Sequence, residues 1–234
     1  MLPAQPNQSL IDGLACLQLL AGSGQPVGSR ELARLLGLEP TRVNRLLKTL
    51  AHLGLAQQGD DRKYRPGPAV HVLAAQAMFG SGLLRRALPA LEPLHRLGHL
   101  VALGVLWRDR VSYLYHADPG MPAAAAVGRV GLFPAAESGL GLAVLALRPL
   151  TEARALLRPG CTGAALDAAL DAVRRAKEAG YAVSPRRSGR ITVAVALAPT
   201  TSAAIGVSGD LVPRDVPAVA AALRAAADQI NAAP

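Results

Sequence analysis

Between Pro40 and Leu53 the chain sets Thr41, Arg42, Asn44, Arg45, Lys48 and Thr49 among Val43, Leu46, Leu47, Leu50 and Leu53. The apolar positions recur at spacings of three and four, the pattern of one buried helical face. The polar set falls on the other side, with three Lys/Arg side chains and no carboxylate. Guanidinium and amide groups on an exposed helix match the donors and acceptors of base edges in a DNA major groove, and hydroxyl and ammonium groups match its phosphates. Just downstream, strand-like runs at 55–58 and 63–65 flank the turn Gly59-Asp60-Asp61 and predict a hairpin. Its Arg62, Lys63 and Arg65 would lie against phosphates beside the groove.

The elements that must position these groups are legible on either side. Leu32, Ala33, Leu35 and Leu36 share one face of a short helix, Gly37 stops it, Leu38 plugs the turn, and Pro40 opens the basic helix, which Gly54 closes. Upstream, Ser9 is expected to cap a supporting helix whose buried stripe is Leu10, Leu14, Leu17 and Leu20 or Ala21, with Cys16 as a small buried hydrophobe. Helix, turn, basic helix and basic hairpin in this order predict a winged helix-turn-helix.

The segment 37–67 resembles the winged domain of the IclR family of bacterial transcriptional regulators. Gly37, Leu38, Thr41, Val43, Arg45, Leu46, Leu47, Thr49, Leu50, Gly54, Tyr64 and Gly67 follow that family's pattern, while Arg42 stands where Thr is usual and Asn44 where His is common. The resemblance implies an α+β chain. Its parts would be a winged helix-turn-helix domain at 9–67, a helical linker at 68–82, and a C-terminal effector-binding, GAF-like α/β domain at 83–234 with a mainly antiparallel sheet. It also implies a pseudo-palindromic double-stranded operator and a homodimer or dimer of dimers.

The rest of the chain agrees with that outline. Helices are expected at 69–79, at 83–99 with a kink or break at Pro89 and Pro93, at 167–179 and at 217–230; strands at 100–107, 111–115, 191–198 and 203–208. Pro134, Ser138, Gly141, Leu145 and Ala146 resemble the family's loop and helix at the edge of the effector pocket, with Leu142 in place of a usual Lys and Ala136 in place of a usual His. By the same resemblance Ser184, Thr192 and Ser208 line the pocket, Ser184 replacing a usual acid and Gly206 a commonly polar residue. Arg129, Arg186, Arg187 and Arg190 flank those segments, and a guanidinium suits a carboxylate. Effector contacts are thus expected at Arg129, Ser138, Leu142, Ser184, Arg190, Thr192 and Ser208, for a small organic or aromatic acid.

Composition narrows the alternatives. Over 234 residues, 51% are hydrophobic and 18% charged, as in a folded protein with a core of Leu, Val and Ala. The formal charge of +9 divides as +3 over residues 1–67 and +6 over 68–234, so it is not concentrated on the basic helix. Two distant cysteines make no disulfide framework, and no signal peptide or membrane-length apolar run appears, so a cytoplasmic protein is expected. Gly206-Val207-Ser208-Gly209-Asp210 falls short of a nucleophile elbow, Gly139-Leu140-Gly141 lacks a third Gly, and His95 and His99 have no third metal ligand nearby. No enzyme and no cofactor are expected. Two readings of the second half stay open: a sensor of a small anionic metabolite, or a domain that only mediates oligomerisation.

Overall fold

The protein, described here from a computed structural model, is defined over residues 5–128, 131–185, 189–198 and 202–233. It divides into two compact units, one ending at Ser81 and the other beginning at Gly82.

The first unit holds α1 (Gln8–Gly22), α2 (Ser29–Leu36), α3 (Pro40–His52), the hairpin β1 (Ala56–Gln58) and β2 (Tyr64–Pro66), and α4 (Pro68–Ser81). Gly37, at φ 64°, gives α2 the left-handed C-cap that the turn into α3 requires. Leu32, Ala33, Val43, Leu47, Leu50 and Tyr64 meet Cys16 and Leu20 in one core. Val27 and Tyr64 exchange backbone hydrogen bonds of 2.8 Å, so the hairpin is tied to the segment before α2.

Two expectations for α1 are corrected. Asn7, not Ser9, caps it, its Oδ1 accepting from Leu10 N at 3.0 Å. The buried face is Asp12, Gly13, Cys16 and Leu20, while Leu10 and Leu14 are 60% and 50% exposed. Gly13 faces Leu46 of α3, and Cys16 and Leu20 join the core on the same side. α4 runs unbroken through Gly80 and buries none of its residues.

The second unit is a six-stranded antiparallel sheet with helices on both faces. Its elements are α5 (Leu83–Leu91), β3 (Leu100–Trp107), β4 (Arg110–Ala117), α6 (Ala123–Ala126), β5 (Leu132–Pro134), α7 (Gly139–Ala146), α8 (Leu150–Leu157), α9 (Gly163–Ala179), β6 (Ala182–Pro185), β7 (Ile191–Ala196), β8 (Ala203–Gly209) and α10 (Val216–Ala232). The strand order is β5-β4-β3-β8-β7-β6. Alternation along β8 shows how one strand serves two cores: Ala203, Ile205 and Val207 join α5 and α10, and Ala204 faces the cluster of α7, α8 and α9. The helix expected over 83–99 ends at Leu91. Pro93 lacks the N–H that would continue it, and a 3-10 turn, Glu92–Leu97, follows. α8 forms where the sequence pattern predicts no helix.

Candidate functional site

On α3, Val43, Leu47 and Leu50 define the buried side, and a turn of about 3.6 residues puts Arg45 directly opposite. Thr41, Lys48 and Thr49 flank Arg45 and are exposed, while Asn44 is half-buried. Among the described residues, no ion pair engages Arg45 or Lys48. Both cations are therefore available to an anionic partner. Thr49 Oγ1 donates to the Arg45 carbonyl at 3.0 Å, so its hydroxyl proton is already used inside the helix.

The hairpin turn is built by short local bonds. Gly59 N donates to Lys63 O at 2.9 Å, Lys63 N to Asp61 Oδ1 at 3.0 Å, and Gln58 Nε2 to Arg62 O at 3.1 Å; Arg62 takes φ 60°. Tyr64 is buried between exposed Lys63 and Arg65, as strand alternation requires. The structure thus gathers the expected basic helix and basic wing in one unit, with Arg62, Lys63 and Arg65 all exposed.

Arg42 departs from that picture. Its Nη2 lies 2.7 Å from Asp12 Oδ2, an ion pair across to α1. Asp12 was not among the expected functional residues. Its only signal was a carboxylate inside an otherwise apolar helix, and the leucine stripe masked it.

In the second unit, register assembles what sequence distance separates. Ser184 pairs with Thr192 across β6 and β7, and Thr192 with Ser208 across β7 and β8, so three buried hydroxyls form a row. Thr192 Oγ1 donates to Ser208 Oγ at 3.0 Å. The first turn of α7 lies against this row: a Cβ at Gly139 would stand 2.9 Å from Thr192 Cγ2. Ser138, fully buried, caps α7 by accepting from Gly141 N and shares a 3.0 Å hydrogen bond with Tyr113 OH. Tyr113 was not foreseen. The row thus lies under the N-terminus of α7.

Not every expected effector residue joins it. Leu142 is buried in the apolar cluster that α7 shares with α9. Arg190 lies beyond the end of β7 in a 3.8 Å pair with Asp210, both exposed, a surface contact of small energetic weight. Arg129, Arg186 and Arg187 lie outside the described residues. Beside the hydroxyl row the floor is tight: Leu140 fills a notch over Gly206 and Gly104, where added Cβ atoms would stand 2.7 and 3.1 Å from its methyls.

Other candidate chemistry is accounted for structurally. His95 Nε2 bonds Tyr115 OH at 2.8 Å. Burial and, second, the Asp12 carboxylate push the Cys16 thiol up, so it is held protonated. Ser208 sits within a regular strand and accepts from Thr192, unlike a nucleophile on a sharp turn. Among the described residues no helix is long and apolar enough to cross a membrane.

Comparison with known proteins matches residues 9–60 to the IclR helix-turn-helix domain. Residues 9–60 are thus an IclR-type helix-turn-helix domain. The chain's whole fold is that of the IclR regulators: it is similar to an IclR family transcriptional regulator from Brucella abortus with a TM-score of 0.82, covering 100% of this chain and 96% of that one at 23% identity. An IclR homolog from Microbacterium hydrocarbonoxydans, solved in complex with 4-hydroxybenzoate, gives a TM-score of 0.67 over 95% and 97% of the two chains at 22% identity. In sequence, the glycerol operon regulatory protein of Streptomyces coelicolor is 29% identical over 155 residues, 65% of this chain and 61% of that relative's length. The IclR family consists of transcriptional regulators, not enzymes. The matched residues span α2, α3 and β1.

Proposed function

We propose that this protein is a transcriptional regulator that binds a pseudo-palindromic operator and responds to a small anionic metabolite. DNA reading belongs to residues 9–67, linkage to 68–82, sensing and assembly to 83–234. The observation that carries the reading is the outward face of α3, where Arg45 and Lys48 stand unpaired among the described residues beside a wing bearing Arg62, Lys63 and Arg65. The sensing half draws support from the hydroxyl row under the α7 N-terminus and from the 4-hydroxybenzoate bound by the Microbacterium relative, an aromatic acid. The linker helix α4 adds a contact surface to that of 83–234: its Val72, Leu73 and Met78 are exposed and its Phe79 is 90% exposed. Exposed apolar faces of this kind mark contact surfaces. We propose a homodimer or dimer of dimers.

The test is binding to the promoter DNA flanking the protein's own gene, titrated in salt with and without a panel of organic acids. Sequence-dependent binding altered by one acid is the expected result. Sequence-dependent binding indifferent to all of them would leave the second unit an assembly domain without a ligand. Absence of sequence-dependent binding would overturn the regulator reading. Within the same assay Lys48→Ala is expected to weaken all duplexes alike and to lower the salt slope by about 0.9, the loss of one phosphate contact.

A further inference from the structure

We propose that Asp12 is a positioning residue for DNA reading: it captures the Arg42 guanidinium, so that this arginine braces the recognition helix against α1 instead of meeting the duplex. The proposal rests on the DNA-binding reading above.

Asp12 is only 5% exposed and sits in the second turn of α1. Its Oδ1 accepts from Gln8 Nε2 at 2.8 Å. Its Oδ2 is shielded from solvent and has no aligned hydrogen bond, and the group beside it is Arg42 Nη2 at 2.7 Å. A carboxylate taken out of water is strongly unfavourable without a countercharge, and a guanidinium cannot lose its proton to escape the pairing. The pair is unequal. Asp12 depends on Arg42, whereas the Arg42 side chain keeps 42% of its surface in solvent and remains within reach of other anions.

Helical periodicity gives the pair its direction. Arg42 lies at the N-terminal end of α3, the part of a recognition helix that enters the groove. It falls on the flank facing α1, while Arg45, one turn later, points away from the core. Arg42 is also where this chain departs from the IclR family's usual Thr. Held by Asp12, it adds a cross-link between two helices and little net charge toward the duplex. Released, it becomes a long cation beside the groove, able to meet any phosphate regardless of sequence. Asp12 therefore withholds a non-specific contact and keeps the helix angle that Arg45 needs.

The experiment uses the full-length chain, the strongest duplex that it selects from a random-sequence pool, and an unrelated duplex of equal length. Affinities for both are measured from about 50 to 200 mM salt, the range over which counterion release is large. Asp12→Asn is expected to bind the unrelated duplex several-fold more tightly, to steepen the salt slope by about 0.9, and to narrow the ratio between the two duplexes. Asp12→Glu should return the wild-type slope. The neutral double variant Asp12→Asn/Arg42→Gln leaves no buried charge, keeps the test open if a single variant fails to fold, and should show the wild-type slope. A double-variant slope flatter than wild type by one contact would overturn the proposal, because Arg42 would then already be on phosphate. An unchanged slope in Asp12→Asn would overturn it as well, with operator binding by the wild type left intact. Should the wild type select no duplex at all, the DNA-binding reading falls first and takes the proposal with it.

Discussion

Arg45→Ala is expected to cost about 1–3 kcal/mol of operator affinity and to relax discrimination at one base pair, leaving affinity for unrelated DNA nearly unchanged. The expectation follows from where the side chain points. Val43, Leu47 and Leu50 fix the rotation of α3 by burying one face, so the direction opposite is set by the core and not by the surface. Arg45 occupies that direction, with no ion pair to compete for it among the described residues. A guanidinium pointing into a major groove presents two parallel donors to the paired acceptors of a guanine edge, a geometry that the other bases do not offer. Competition binding with a set of singly substituted operators measures this. Uniform weakening across all of them, with a flatter salt slope, would assign Arg45 to phosphate and move the base contact to a neighbour such as Thr41 or Lys48.

How far such statements can be made from sequence depends on what fixes each residue. The polar face of α3 and the wing were legible because their causes are local: apolar spacing, Gly37 at a left-handed cap, a turn built on Gly59 and Asp61. The buried face of α1 was not. Leu10 and Leu14 dominate the local pattern, but the core takes Cys16 and Leu20 on the other side, which carries a carboxylate. The Asp12–Arg42 pair was invisible for the same reason, since it joins two helices whose relative rotation only the core decides. In the second unit the hydroxyl row was reachable only through family resemblance. Ser184, Thr192 and Ser208 are brought together by strand register, and the Tyr113–Ser138 bond by the position of α7 over β4. α8 escaped because a single short amphipathic run after Pro149 is weakly marked next to the apolar stretch before it.

Leu140→Ala is the substitution expected to act most strongly on the second unit. Leu140 is 2% exposed, and its methyls lie over Gly104 and Gly206 on a floor that also includes Ala102, Ala194 and Ala204. These small residues let α7 approach the sheet closely, and they leave Leu140 to fill the space that larger side chains would otherwise occupy. Truncation removes buried methyls above a floor that cannot collapse into the gap without moving a whole helix. A loss of about 2–5 kcal/mol is expected, read from denaturant unfolding of the second unit. A cavity lined in this way is apolar and stays dry, so it should accept a small aromatic ring. The hydroxyl row and the α7 N-terminus adjoin it. Leu140→Ala is therefore expected to bind a small aromatic acid that the wild type does not admit at this place, and to recover part of the lost stability in its presence, by mass action on the folded state. The opposite change, Gly206→Val, drives a side chain into the Leu140 methyls and should destabilise the unit without any ligand rescue. A small loss in Leu140→Ala, with no gain in ligand affinity, would mean that α7 settles onto the sheet and closes the gap.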